Sequence, residues 1–116
     1  MASNDMKIHT AAARKVQDVY GVDGLLAALD NSQPGAKIQA ARFLRLNPDP
    51  KARLPLLEVT RHKDIHVRGW AAYALSSVPS SDVENRLNEL LRDPAPVVQN
   101  FAKEALSLIA EKKKKQ

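Results

Sequence analysis

The chain repeats itself every 31 residues, and that period constrains its fold more than any other feature. Aligned without gaps at this offset, Leu25 meets Leu56 and Leu87, and Ala28 meets Val59 and Leu90. Further along, Ala36 meets Val67 and Val98, Ala40 meets Ala71 and Ala102, and Leu44 meets Leu75 and Leu106. Asn47, Val78 and Ile109 close the unit. Within each copy the apolar positions recur at i, i+3 and i+4, the period of a helix face. Each copy therefore reads as two helices. The first is short: GLLAALD from Gly24, PLLEVTR from Pro55 and RLNELLR from Arg86. The second starts near Pro34, Ile65 and Pro96. Proline suits a first helical turn, where its missing N–H leaves no hydrogen bond unmade.

One helical hairpin of this size cannot bury its own apolar face, so the copies are expected to stack on one another. The scarcity of aromatic residues, 4% of the chain, fits closely packed Ala- and Leu-rich helices better than a β-sandwich. The reading is all-α: a single domain over residues 1–111, with repeats at 24–48, 55–79 and 86–110. Residues 5–20, with Met6, Ala13, Val16 and Tyr20 near one face, are expected to form a helix capping the open end of the first repeat. Residues 112–116 are expected to form a basic tail beyond the last helix. GVDG at 21–24 is read as a turn, and Asp64 and Asp93 as N-caps of the helices that follow them.

These residues carry a family resemblance. DIHVRGWAAYALSSV (64–78) and DPAPVVQNFAKEALSLI (93–109) resemble the second helix of HEAT repeats, closest to the short bacterial kind first noticed in phycobilisome lyases. Asp64, Val67, Arg68, Ala71, Ala72, Ala74 and Leu75 match that pattern in the second copy. Asp93, Pro94, Val98, Ala102, Ala105 and Leu106 match it in the third. The first copy departs from it, with Ala36 where valine is usual, Lys37 for the arginine and Phe43 for an alanine. The resemblance covers roughly residues 24–110. It implies a right-handed α-solenoid of three helical hairpins with the second helices lining a concave face. Families built on this repeat include chromophore lyases, DNA glycosylases, adaptors and scaffolds, so the resemblance alone selects no activity.

The net charge of +5 is concentrated, because Lys112–Lys115 supply four of the five charges. Between Lys37 and Arg68 stand eight basic and three acidic residues; between Ala71 and Glu111, three basic and six acidic. Opposite the apolar stripe, positions 37/41/45, 68/72/76 and 99/103/107 are expected to share a polar face. With the column 42/73/104 this gives a groove of Lys37, Arg42, Arg45, Arg68, Tyr73 and Lys103, with Glu104 as its one acid. Such a groove fits a protein partner. It could instead track a phosphate backbone, helped by Lys112, Lys113, Lys114 and Lys115, and that is the alternative reading. The shared column of Trp70 and Phe101 is read as packing between repeats.

Little points to catalysis. The chain has no cysteine, which removes thiolate chemistry and fits a reducing, cytoplasmic setting. His62 and His66 are four residues apart but straddle a predicted turn, with no third ligand beside them, so no metal site is expected. The serines lack a histidine and acid at a readable spacing. No cofactor is expected. The N-terminal stretch lacks a continuous apolar segment, and no run approaches a membrane span, so neither a secretory signal nor a transmembrane helix is expected. The reading is a small, non-catalytic interaction module.

Overall fold

The computed structural model describes residues 21–30 and 33–115. It contains α1 (Gly21–Leu29), α2 (Pro34–Leu46), a 3-10 turn (Pro50–Ala52), α3 (Arg53–Val59), α4 (Ile65–Leu75), α5 (Ser81–Leu90) and α6 (Pro96–Lys114). No strand occurs among the described residues. The helix expected over residues 5–20 lies outside them.

All three second helices begin where the sequence places them. Pro34 and Pro96 occupy the first turn of α2 and α6. Asp64 caps α4, accepting the N–H groups of His66 at 2.8 Å and Val67 at 3.2 Å. Asp93 is not a helix cap. At the 31-residue offset Asp64 aligns with Ala95, which holds the cap position of α6 without a side-chain bond. Asp93 aligns instead with His62, and the two do the same work. His62 Nδ1 accepts the Asp64 N–H at 3.0 Å, and Asp93 Oδ1 accepts the Ala95 N–H at 2.9 Å.

The first helices start earlier than their apolar pattern suggests. GVDG is not a turn but the first part of α1, with Asp23 in the first helical turn, where a carboxylate is favoured by the helix dipole. α5 starts at Ser81 rather than Arg86, because Ser80 caps it and Asp82 and Glu84 occupy its first turn. In α5 the core residue Val83 aligns with the smaller Ala52 and Gly21, so the apolar repeat fades over the opening turns. At the other end α6 continues to Lys114, so most of the expected tail is helical.

Consecutive helices pack as pairs, α1 on α2, α3 on α4 and α5 on α6, and α4 lies between α2 and α6. The repeat columns form the core. Leu25, Leu56 and Leu87 are buried, as are Ala40, Ala71 and Ala102, Val67 and Val98, and Val78 and Ile109. The first copy is looser: Ala36 is half-buried and Asn47 exposed, and Leu29 rather than Ala28 fills the core beside α2. No helix among the described residues is long and apolar enough to cross a membrane.

Leu75 is fully buried at the centre of this arrangement. Leu75→Ala should lower unfolding stability by about 2–5 kcal/mol, from lost burial plus an unfilled cavity. Urea unfolding followed by circular dichroism measures it; a change below about 1 kcal/mol would contradict a core role.

Candidate functional site

The expected polar face is not a solvent face in the first two repeats. Ala41, Ala72 and Ser76 are all buried. A single amphipathic helix has one apolar stripe, but α4 is covered on two sides, by α2 and by α6. The positions that seemed to look into a groove pack beneath the next repeat. Lys103, third member of the 41/72/103 column, is exposed on the outer side of α6 and does not join the other candidates.

Two of those candidates hold the helix junctions together. Lys37 Nζ donates to the Leu29 carbonyl at the end of α1, at 2.6 Å. Arg68 Nη1 donates to the carbonyls of His62 and Lys63 beyond α3, both at 3.0 Å. Gln99, in the same column, donates to the Asp93 carbonyl beyond α5 at 2.7 Å. Lys37 thus satisfies a carbonyl that a helix end leaves without an internal partner, and Arg68 and Gln99 do the same for carbonyls of the turns between helices. Arg68 also grips Asp93 with both Nε and Nη2 at 3.0 Å, joining the second repeat to the third. The two side chains are only 16% and 9% exposed. Arg68 is therefore a structural clamp rather than a groove cation.

Burial alone pushes the Asp93 carboxyl up, but the Arg68 hydrogen bonds, the Ala95 N–H and the charges of Arg68 and Arg86 outweigh it and hold its pKa below the usual 3.8. Arg86 reaches back in the same manner. Its Nε donates to Thr60 Oγ1 at 2.9 Å and its Nη2 to the Thr60 carbonyl at 3.2 Å, past the end of α3. Burial, with repulsion from Arg61 second, lowers its pKa while Glu89 and Asp93 oppose the shift. Arg53 bridges to Asp82.

The lysines are divided as well. Lys112 Nζ donates to the Ser76 carbonyl at the end of α4, at 2.9 Å, and Lys113 pairs with Glu84 at 2.6 Å. Both continue α6, whose C-terminal dipole they favour. Lys114 and Lys115 stand exposed.

The remaining candidates, Arg42, Arg45 and Tyr73, do come together. Arg42 lies over the Trp70 ring, 5.3 Å from its centroid, and Arg45 over Tyr73 at 4.3 Å. Arg45 Nη2 also donates to the Tyr73 hydroxyl at 2.9 Å. Trp70, Tyr73 and Phe101 form a closed triad, with centroids 5.1–5.9 Å apart. Such contacts add roughly 0.5–1.5 kcal/mol per aromatic pair and 0.5–1 per exposed cation–π pair. Trp70 is half-buried: it packs between repeats, as its column suggests, and also carries Arg42.

Pairing Trp70 and Phe101 with the arginines is what the sequence reading missed. The signal is a separation of 28 residues, shared by Arg42–Trp70, Arg45–Tyr73 and Tyr73–Phe101. It is one repeat less about one helical turn, so alignment by repeat column hides it. Phe101 seats directly on the α4 backbone at Gly69, where a Cβ would come within 2.5 Å of its ring.

Reactive groups elsewhere are engaged locally. Ser76 and Ser77 donate to the carbonyls of Tyr73 and Ala74, each at 2.7 Å. Among the described residues no three or more His, Asp or Glu side chains gather at metal-binding distances. The arrangement offers cations and aromatic surface for contact rather than a nucleophile beside a base.

A family model described as HEAT repeats covers residues 22–109 of the chain. No curated protein and no solved structure matches significantly.

Two outcomes follow from this geometry. Asp93→Asn should cost about 1–3 kcal/mol by weakening charge-assisted hydrogen bonds to Arg68. A carboxylate whose folded pKa is depressed stabilises the fold above its unfolded value, and that share is lost as pH falls through the folded value. The wild type should thus lose stability on acidification below 3.8 more steeply than Asp93→Asn, in paired unfolding curves across pH. At Gly69, alanine would gain about 1 kcal/mol of helix propensity in isolation. Gly69→Ala should nevertheless destabilise by about 1–3 kcal/mol, because a rigid ring must move. Trp70 fluorescence should shift with it, and a stabilised variant with unchanged emission would refute the close seat of Phe101.

Proposed function

Since the chain belongs to the HEAT-repeat family, we propose that it is a small, non-catalytic interaction module. Its hairpins stack as a right-handed α-solenoid, and the surface along its second helices binds a protein partner in the manner of an adaptor or scaffold, in a cytoplasmic setting. One observation carries this reading: Arg42 and Arg45 lie over the Trp70 and Tyr73 rings of an aromatic triad, and neither has an ion-pair partner among the described residues. Arg53, Arg68 and Arg86, by contrast, each meet a carboxylate. A guanidinium positioned over a ring loses little entropy on pairing, and both arginines retain N–H groups for a carboxylate, Arg45 beyond the Nη2 that meets the Tyr73 hydroxyl. Arginine and aromatic residues in such settings are the usual hot spots of protein interfaces. The partner segment is one that presents carboxylates to Arg42 and Arg45.

Nucleic-acid binding is the second reading, supported by the exposed Lys114 and Lys115 at the end of α6 in addition to this arginine pair. Three features weigh against it. Lys112 and Lys113 are engaged within the chain. The aromatic rings face one another and the arginines, leaving less ring surface for base stacking. Glu104, exposed in the column of Arg42 and Tyr73, opposes a continuous phosphate backbone.

Affinity capture with immobilised wild type, Arg42→Glu and Tyr73→Ala tests the proposal. Partner recovery should fall at least about tenfold in both variants, as expected for hot-spot losses of ~1.4 kcal/mol or more. Circular dichroism should stay unchanged. Undiminished capture would remove this surface from consideration. In parallel, fluorescence anisotropy with labelled single- and double-stranded DNA and RNA over a salt series separates the readings. Steeply salt-dependent binding lost in Arg42→Glu would favour nucleic acid.

A further inference from the structure

The aromatic and alanine faces of α4 and α6 are each covered by the second helix of the preceding repeat, and α2 carries the same face. Ala74 and Ala105 are fully buried there, whereas the matching residue of α2, Phe43, is 44% exposed. Ser77 and Leu108 are half-buried in the next column, whereas Leu46 is 68% exposed. The first repeat thus opens two large apolar side chains at a position that is a packing contact in both later repeats.

We propose that residues 5–20 of this chain dock on that face as the helix preceding α2 in the stack. The segment joins directly to α1 at Gly21. At the 31-residue offset α2 maps onto residues 3–15, so a helix from Asp5 to Lys15 would span about 16 Å beside the about 20 Å of α2 and leave residues 16–20 for the turn into α1, as residues 76–80 turn from α4 into α5. Its Met6, Ala13 and Val16 supply an apolar edge. The other end of the described fold does not complement Phe43 and Leu46. The outer side of α6 presents Gln99, Lys103 and Ser107, a polar end like that of a capping repeat, which disfavours head-to-tail stacking of a second copy.

The repeat also sets the register. Ser77 Oγ reaches the Leu44 carbonyl, at 3.4 Å, between α4 and α2. One period of 31 residues earlier, that pair becomes Leu46 and Ala13. The same shift carries Arg45 to Arg14, so docking extends the row of arginines on the second-helix surface. Like charge between neighbouring exposed arginines costs little in water.

The chain has no cysteine, so one engineered disulfide reports the contact without competition. In the full chain, Ala13→Cys with Leu46→Cys should oxidise within one molecule at dilute concentration. It should do so at least about tenfold faster than a control pairing Ala13→Cys with Asn85→Cys on α5, through its higher effective concentration. Equal rates would overturn the register and the docking. Disulfide-linked dimers alone would assign the face to a second copy. Because Leu46 is exposed, the reduced variant should keep wild-type circular dichroism. Hydrogen exchange on unmodified protein gives a second reading: amides of residues 5–20 should be protected, and Phe43→Asp with Leu46→Asp should remove that protection. Absent protection in the wild type, or equal protection in both, would refute the proposal.

Discussion

Close approach of the second helices is the constraint on which the rest depends. Alanine occupies the contact columns at 40, 71 and 102, at 41 and 72, and at 74 and 105, and all are buried. Gly69 permits an even nearer contact, with the Phe101 ring against the α4 backbone. Small residues let helix axes approach, and the packing they allow compensates for the little apolar area each buries. The same spacing lets Trp70, Tyr73 and Phe101 meet across two helices. Larger side chains in the alanine columns would separate the helices and the triad with them.

Polar contacts at the helix ends solve a separate problem. Short helices expose a high proportion of carbonyls without internal partners. Lys37, Arg86 and Lys112 each reach such a carbonyl at a helix end, and Arg68 and Gln99 reach carbonyls of the connecting turns. Of the eight cations between Lys37 and Arg68, four donate within the fold: Lys37, Arg45, Arg53 and Arg68. Lys51, Arg61 and Lys63 are exposed. Arg42 and Arg45 differ in that contact with aromatic rings, rather than a carbonyl or carboxylate, holds them in place.

The first repeat departs from the other two in both sequence and packing. Phe43 replaces alanine at a contact column, Ala36 replaces valine in the core, and Asn47 is exposed where Val78 and Ile109 are buried. Among the described residues the first repeat has a neighbouring repeat on one side only, so its residues meet different surroundings. Among the described residues the third repeat differs at its outer side. Its outer column ends in Lys103 where Ala41 and Ala72 lie buried.

The sequence by itself determined the helical class, the period, the starts of all three second helices and most of the core. These follow from local rules: apolar spacing, proline in a first turn, and a capping aspartate before Ile65. It did not determine which polar residues face solvent. A column read along one helix reveals one stripe, but α4 has two neighbours, so the positions of Ala41, Ala72 and Ser76 became buried contacts. Asp93 is likewise one residue type with two possible roles, cap or clamp, and only its distance to Arg68 in the next helix layer decides between them. The arginine–aromatic cluster arises from residues 28 apart that meet only once the helices are docked. Tertiary structure decided these points because they depend on what lies across the helix from a residue, and local periodicity carries no record of that.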